Sequence, residues 1–360
     1  MIINIHKQYL LKKLSKKIFL ISCIFLILVM IINLIEEANF LKESSSSFLV
    51  PILLTFLNSP SLLYEMFPFI FLLSTQFFYI EIYENREIDT LKQFGIDNLS
   101  MLKFTSLASF IFGFLIIIVF YNFSSILKNQ YLKIKNEYSG DKKYLAVITK
   151  NGIWIKDNSN KGSIIINSDQ IQGKYLINTS ITIFNKNFEI QKNIIAKKID
   201  IETKNWKLYD VLVTEVKNVS KKHEKYSFNS NFDLEKVSNL FSDLTSLTYF
   251  ELLKLEKDYK SIGYSIDEIK IQKQRIYSYP ILLCIMTIIG SIIMINNKFK
   301  KNILFNIFIG IFFSVLIFYL GNFANILGEN GKLPLFLSVW FPIFVLIILS
   351  IIGLIKINEK

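Results

Sequence analysis

Cysteine and histidine are almost absent, with two of each in 360 residues. Cys23 and Cys284 both fall inside apolar runs, which excludes a disulfide framework and any zinc-finger spacing. His6 lies in a basic N-terminal tail and His223 sits among Lys221, Lys222 and Lys225. Neither has the acidic or cysteine neighbours of a metal site or a catalytic triad, and both are read as solvated. No glycine-rich run leads into Gly-Lys-Ser or Gly-Lys-Thr, so the usual cradle for nucleotide phosphates is missing and the chain is not its own ATPase. No serine occupies a Gly-x-Ser-x-Gly elbow, and a serine without a placed base is not a nucleophile. Catalytic residues, a metal and a cofactor are all expected to be absent from this chain.

Charge is scarce as well. Only 19% of residues are charged against 52% hydrophobic, and the mean hydropathy is +0.40, too apolar for an ordinary soluble domain. The net charge of +12 accompanies an abundance of Lys, Asn and Ile that looks like biased codon usage, and nucleic acid is not expected as a partner.

What the sequence has in quantity is uncharged apolar length. A membrane-crossing helix needs roughly 17 to 25 such residues. Six predicted spans meet this: Ile18 to Ile35, Leu62 to Tyr83, Phe104 to Leu127, Ile276 to Ile295, Asn302 to Gly321 and Leu335 to Ile355. The second is interrupted by Glu65, whose charge places it at the interface end of that helix. The preceding residues, Phe48 to Leu57, read as a short separate interfacial helix. No cleavable signal peptide is expected, because the first apolar stretch is a full span without a small-residue cleavage site after it.

Orientation follows the Lys and Arg of short loops. The N-terminal tail with Lys7, Lys12, Lys13, Lys16 and Lys17, the loop with Lys298, Lys300 and Lys301, and the tail with Lys356 and Lys360 are all predicted cytoplasmic. One loop fits poorly. Residues 84–97 must be cytoplasmic by counting, yet Arg86 and Lys92 face Glu84, Glu87, Asp89 and Asp97. Function, not topology, is the better reason for those acids.

Between the third and fourth spans, residues 128–275, the apolar period changes from helical to alternating. Strands are predicted at Tyr144 to Thr149, Gly152 to Lys156, Ser163 to Ser168, Lys174 to Phe184, Phe188 to Ile201 and Trp206 to Val216, with a hairpin turn at Asn185, Lys186 and Asn187. Such a series argues for a sandwich, a jelly roll or an open trough of strands, followed by a more helical stretch from Leu234 to Lys273. The chain thus divides into a transmembrane half at 1–127, an outer β-rich domain at 128–275 and a second transmembrane half at 276–360.

The acidic loop, EIYENREIDTLKQFGID, has the marks of a small amphipathic helix. Ile88, Leu91 and Phe94 recur on one side and Gly95 is a natural C-terminal stop. It suits either a partner's groove or a lipid surface. Its acidic balance disfavours anionic lipid and favours a protein.

Several stretches together resemble the lipopolysaccharide-export permeases LptF and LptG over nearly the whole chain. NSPSLLYEMFPFIFLLSTQ resembles the approach to the family's second helix, with Pro60, Tyr64, Glu65 and Pro68 in matching places. REIDTLKQFGID resembles the coupling helix, with Glu87 and Gly95 on its characteristic positions. NGIWIKDN and TKNWKLYDV resemble signatures of the outer domain, and LPLFLSVWFP, with Pro334, Trp340 and Pro342, resembles the approach to the last helix. NGIWIKDN and LPLFLSVWFP favour the LptG branch.

The resemblance implies six transmembrane helices with an inserted periplasmic β-jellyroll-like domain, in the bacterial inner membrane. It implies a heterodimer with an LptF-like permease, an LptB-like cytoplasmic ATPase dimer beneath, and an LptC-like periplasmic protein that receives lipopolysaccharide. Glu87, with Arg86, would face the ATPase, and Ile88, Leu91 and Phe94 would be its packing surface before the stop at Gly95. LptG chains carry a Lys near the outer end of span one, where Asn33 stands here, followed by Glu36 and Glu37. These three, with Phe312, Phe318 and Phe323 on span five, are candidates to line the lipid cavity, although for each phenylalanine a generic lipid-facing role is the stronger reading. Two other readings stand beside the transporter. One is a membrane-tethered sensor or envelope assembly factor whose outer β domain binds a ligand. The other, a lipid-modifying enzyme, lacks an assembled nucleophile, acid-base pair or metal site.

Overall fold

A computed structural model describes residues 5–42, 47–138, 153–159, 162–185, 188–215, 220–234, 237, 243–262, 265–296 and 303–358. They fall into two compact units, one made of residues 1–128 and 267–360 and the other of residues 129–266.

The first unit is helical. In chain order it contains α1 (Ile5–Phe40), α2 (Leu49–Glu84), α3 (Glu87–Gln93), α4 (Asn98–Leu115), a π-helical turn (Ile116–Tyr121) and the start of α5 (Asn122–Tyr138). Among the described residues six helices are long and apolar enough to cross a membrane: α1, α2, the composite from α4 through α5, and three after the β-rich unit. The residues of α2 form one continuous helix, not the expected interfacial piece and separate span. At 1.5 Å per residue its 36 residues extend about 54 Å, so a segment beyond the hydrocarbon core continues the same helix.

Two internal prolines do not stop it. Proline deprives the carbonyl four residues earlier of its donor. For Pro68 that carbonyl belongs to Tyr64, and the Tyr279 hydroxyl donates to it from a neighbouring helix. A comparable repair follows the π turn, where the Asn122 side-chain amide donates to the Ile118 carbonyl at 2.9 Å.

After the β-rich unit come α7 (Asp267–Asn296), α8 (Ile303–Glu329) and α9 (Leu335–Asn358). Helix α7 packs against α2, α4 and α9. Its Pro280 lies so close to α4 that a Cβ on Gly113 would stand 2.6 Å from the Pro280 Cα. Small residues let helix backbones approach this way in a membrane, where no hydrophobic force separates helix from lipid. Polar ties cross the helix interfaces too: Thr287 Oγ1 of α7 bonds Ser109 Oγ of α4 at 2.8 Å, and between α2 and α8 Gln76 Nε2 donates to the Asn306 carbonyl at 2.8 Å. The most apolar window of α2 is 72% buried, against 11% in α1 and 22% in α8, so α2 is central while α1 and α8 present broad apolar flanks outward.

The described residues of the second unit form the rest of α5, six strands, a 3₁₀ turn at Leu244–Ser246 and α6 (Tyr249–Ile262). The strands are β1 (Ile153–Ser159), β2 (Gly162–Gln172), β3 (Tyr175–Phe184), β4 (Ile190–Asp200), β5 (Asn205–Glu215) and β6 (Ser220–Asn229). Among the described residues they form one antiparallel sheet in the order of the sequence, each paired with the next. The strand expected at Tyr144 to Thr149 lies outside the described residues. Strand β6 was not anticipated, because SKKHEKYSFN lacks the apolar alternation that marks a strand. At an edge, lysines are the usual guard against pairing with another sheet.

Alternation buries one face, with Ile155, Ile166, Ile181, Ile194 and Val213 in a single row across five strands. A crease crosses the sheet at Asp169, Asn178, Lys197, Asp210 and Glu224, where the ladders skip a pair. Asn178 and Asp210 there have left-handed backbones, at φ 49° and 53°. Consequently Leu176 and Thr179, three residues apart, are both buried. After β6 the chain returns across the core face, where Trp206 Nε1 donates to the Phe232 carbonyl at 2.8 Å. Ser230 and Asn231 then reach the opposite edge strand, donating three hydrogen bonds of 2.8 to 3.0 Å to the buried Asp157 carboxylate.

Candidate functional site

The loop that carries unexplained acids is built as a short helix slung between two spans. Its first residue follows Arg86, which adopts a left-handed backbone at φ 55°. At its other end, Gly95 takes φ 77°; its N–H bonds the Lys92 carbonyl and that of Ile96 bonds the Leu91 carbonyl, each at 2.9 Å. This pair of bonds closes the helix as glycine at that position does. Asp97 then caps α4, its carboxylate accepting from the Ser100 N–H at 2.9 Å, and bonds from the Ser100 hydroxyl and that N–H hold the Asp97 carboxyl below its ordinary value.

Ile88 and Leu91, expected to form a docking face, point the other way: both are buried in the chain's own core with Leu10, Leu14 and Ile82. A helix of seven residues has no other apolar side with which to hold itself in place. The exposed residues between 86 and 94 are Arg86, Asp89, Thr90, Lys92, Gln93 and Phe94. Phe94 is exposed on one side and stacked on His6 on the other, ring centroids 4.1 Å apart.

Glu87 is half-buried against the base of α1. Lys13 Nζ donates to both of its oxygens, at 2.7 and 2.6 Å, and also pairs with Glu81 of α2 at 3.2 Å. Lys17 pairs with the other oxygen of Glu81. Burial pushes the Glu87 carboxyl up, but bonds from Lys13, Asn85 and the Tyr9 hydroxyl outweigh it and leave the group below its ordinary value. His6, Leu10, Lys13 and Lys17 recur at helical spacing along one stripe of α1, a signal present in the sequence that its basic character concealed.

At the opposite end of α1, Asn33 is buried and accepts from Asn58 Nδ2 at 3.2 Å, while its own amide reaches the Thr55 carbonyl at 3.4 Å. Glu37 is buried nearby and Glu36 is exposed. The three candidates on α8 do not share a face. Phe312 and Phe323, three helical turns apart, are both exposed, whereas Phe318 is turned toward α2 and lies 5.9 Å from Phe69.

The family model for the lipopolysaccharide export system permease LptF/LptG matches residues 8–356. The chain belongs to the LptF/LptG family. No curated protein matches it. The LptF/LptG match takes in all six spans, the sheet, the slung helix and its lysine partners. An LptF/LptG permease is the membrane subunit of a transporter and not an enzyme, in keeping with six apolar helices and a sheet inserted in sequence between the third and fourth of them among the described residues.

Proposed function

We propose that this chain is a permease subunit, of the LptG branch, in an ABC-type lipopolysaccharide export complex. It pairs with an LptF-like permease, rests on an LptB-like cytoplasmic ATPase dimer, and passes lipid to an LptC-like periplasmic protein. It sits in the inner membrane with both termini cytoplasmic and the β unit periplasmic. It draws lipopolysaccharide from the outer leaflet and hands it to a periplasmic β-jellyroll bridge. The observation that carries this reading is α3. A seven-residue helix tied between two spans, with a buried apolar side and an exposed face of mixed charge around Phe94, suits a rigid knob for a partner's groove. The flanks of α1 and α8 support a second permease and a lipid as neighbours, and NGIWIKDN and LPLFLSVWFP support the branch.

The test is purification of the tagged chain in mild detergent, with co-purifying proteins and lipid identified by mass spectrometry. The reading expects a stoichiometric ATPase, a second six-span permease and lipopolysaccharide. A chain recovered alone, with a small ligand held by its β unit, would support the tethered sensor instead.

A further inference from the structure

The proposed coupling helix is joined by charge to one transmembrane helix in particular. Lys13 is 8% exposed, and its single ammonium is shared between Glu87 of α3 and Glu81 of α2. It stands one turn above Tyr9 on α1, with Leu10 and Leu14 beside it in the core. Helix α1 otherwise packs on α2 and, more lightly, on α4, while Ile24, Ile27, Leu28 and Ile31 face outward through its apolar length. Helix α1 is thus held along one side by α2, as far as Asn33, and at its base by α3 as well.

From this geometry we infer that Lys13 is a positioning residue, which makes the base of α1 follow α3. When α3 is displaced by its partner, the ion pair and the His6–Phe94 stack carry the base of α1 with it, and because Asn33 ties the far end of α1 to α2 the two helices shift as a pair. The consequence is that force on the cytoplasmic helix reaches the outward flank of α1, where a lipid or a second permease would be contacted. The inference rests on the permease reading and adds to it the residue that carries the motion. Breaking a largely buried pair leaves a carboxylate without its cation, so a neutral residue at position 13 should loosen the link even where the helices remain folded.

The experiment is reconstitution of the full complex in proteoliposomes, with the ratio of lipopolysaccharide released to ATP hydrolysed as the readout. Lys13→Met should lower that ratio by roughly tenfold, within the range typical of coupling between sites, while Lys13→Arg keeps most of it. An unchanged ratio in Lys13→Met would overturn the inference. Should that variant fail to assemble, the Lys13→Cys and Glu87→Cys pair bridged by a short thiol crosslinker takes its place. Release retained under the bridge supports joint motion, and release abolished by it contradicts joint motion. A wild-type complex that hydrolyses ATP but releases no lipid fails differently, because it removes the permease reading itself.

Discussion

Glu87 is a carboxylate held by three donors at the foot of a helix, and its protonation should be visible in stability. Its carboxyl lies below the ordinary value of 4.5, so the folded chain binds fewer protons there than the unfolded chain in mild acid. The pair therefore contributes fully at neutral pH, and its contribution fades as the pH falls through the carboxylate range. Comparing thermal unfolding of the wild type and Glu87→Gln from neutral pH down to about pH 4 should show the wild-type advantage shrinking. A constant difference would mean that the carboxylate charge does not matter. Gly95 makes a second residue-scale case. An alanine there must adopt φ 77°, a left-handed conformation that costs about 1 to 2 kcal/mol, and Gly95→Ala should lower the unfolding midpoint accordingly. The glycine stop was legible in the sequence, because few other residues end a helix this way. The inward turn of Ile88 and Leu91 was not legible. A period places residues on one side of a helix without saying whether that side meets a partner or its own chain.

Among elements, α2 shows how neighbours override local rules. Read alone, its residues divide into an interfacial piece and a span; in the structure they run as one helix, and the carbonyl that Pro68 leaves without a donor is answered by Tyr279, more than two hundred residues away in sequence. Removing that hydroxyl by Tyr279→Phe should cost about 1 kcal/mol. In a Pro68→Ala background the restored backbone N–H can take over the Tyr64 carbonyl, so the penalty should shrink, and a double-mutant cycle on thermal unfolding measures the difference. Gly113→Leu, in contrast, should destabilise by about 1 to 3 kcal/mol, because Pro280 leaves no room for a side chain. In the β unit, Asp157→Ala would strand three donors from Ser230 and Asn231 and free the segment that crosses the core face. A loss of about 2 to 4 kcal/mol is expected, read from the emission of the buried Trp206 during denaturation. The alternation that reveals β2 to β5 comes from burial on one side. Strand β6 carries lysines at an edge and offers no such signal, and the crease depends on two left-handed residues that no pattern marks.

At the scale of the whole molecule, the six spans and the inserted sheet follow directly from hydropathy and its change of period, since a membrane admits few alternatives. The site is a harder reading. The acidic loop stood out because it broke the positive-inside rule, yet the lysines that answer Glu81 and Glu87 lay in the same tail that had served only to orient the chain. Their roles become visible once α1 and α3 are in contact. The central claim is that a partner's ATP hydrolysis acts on this permease through α3. The most direct measurement is ATP-dependent release of lipopolysaccharide from proteoliposomes containing the full complex, comparing wild type with Phe94→Asp, which puts a charge on the exposed tip of α3. The account predicts that release falls by roughly an order of magnitude or more while the chain still inserts, with only the small loss of stability that the missing His6 stack brings. Release at the wild-type rate would contradict it.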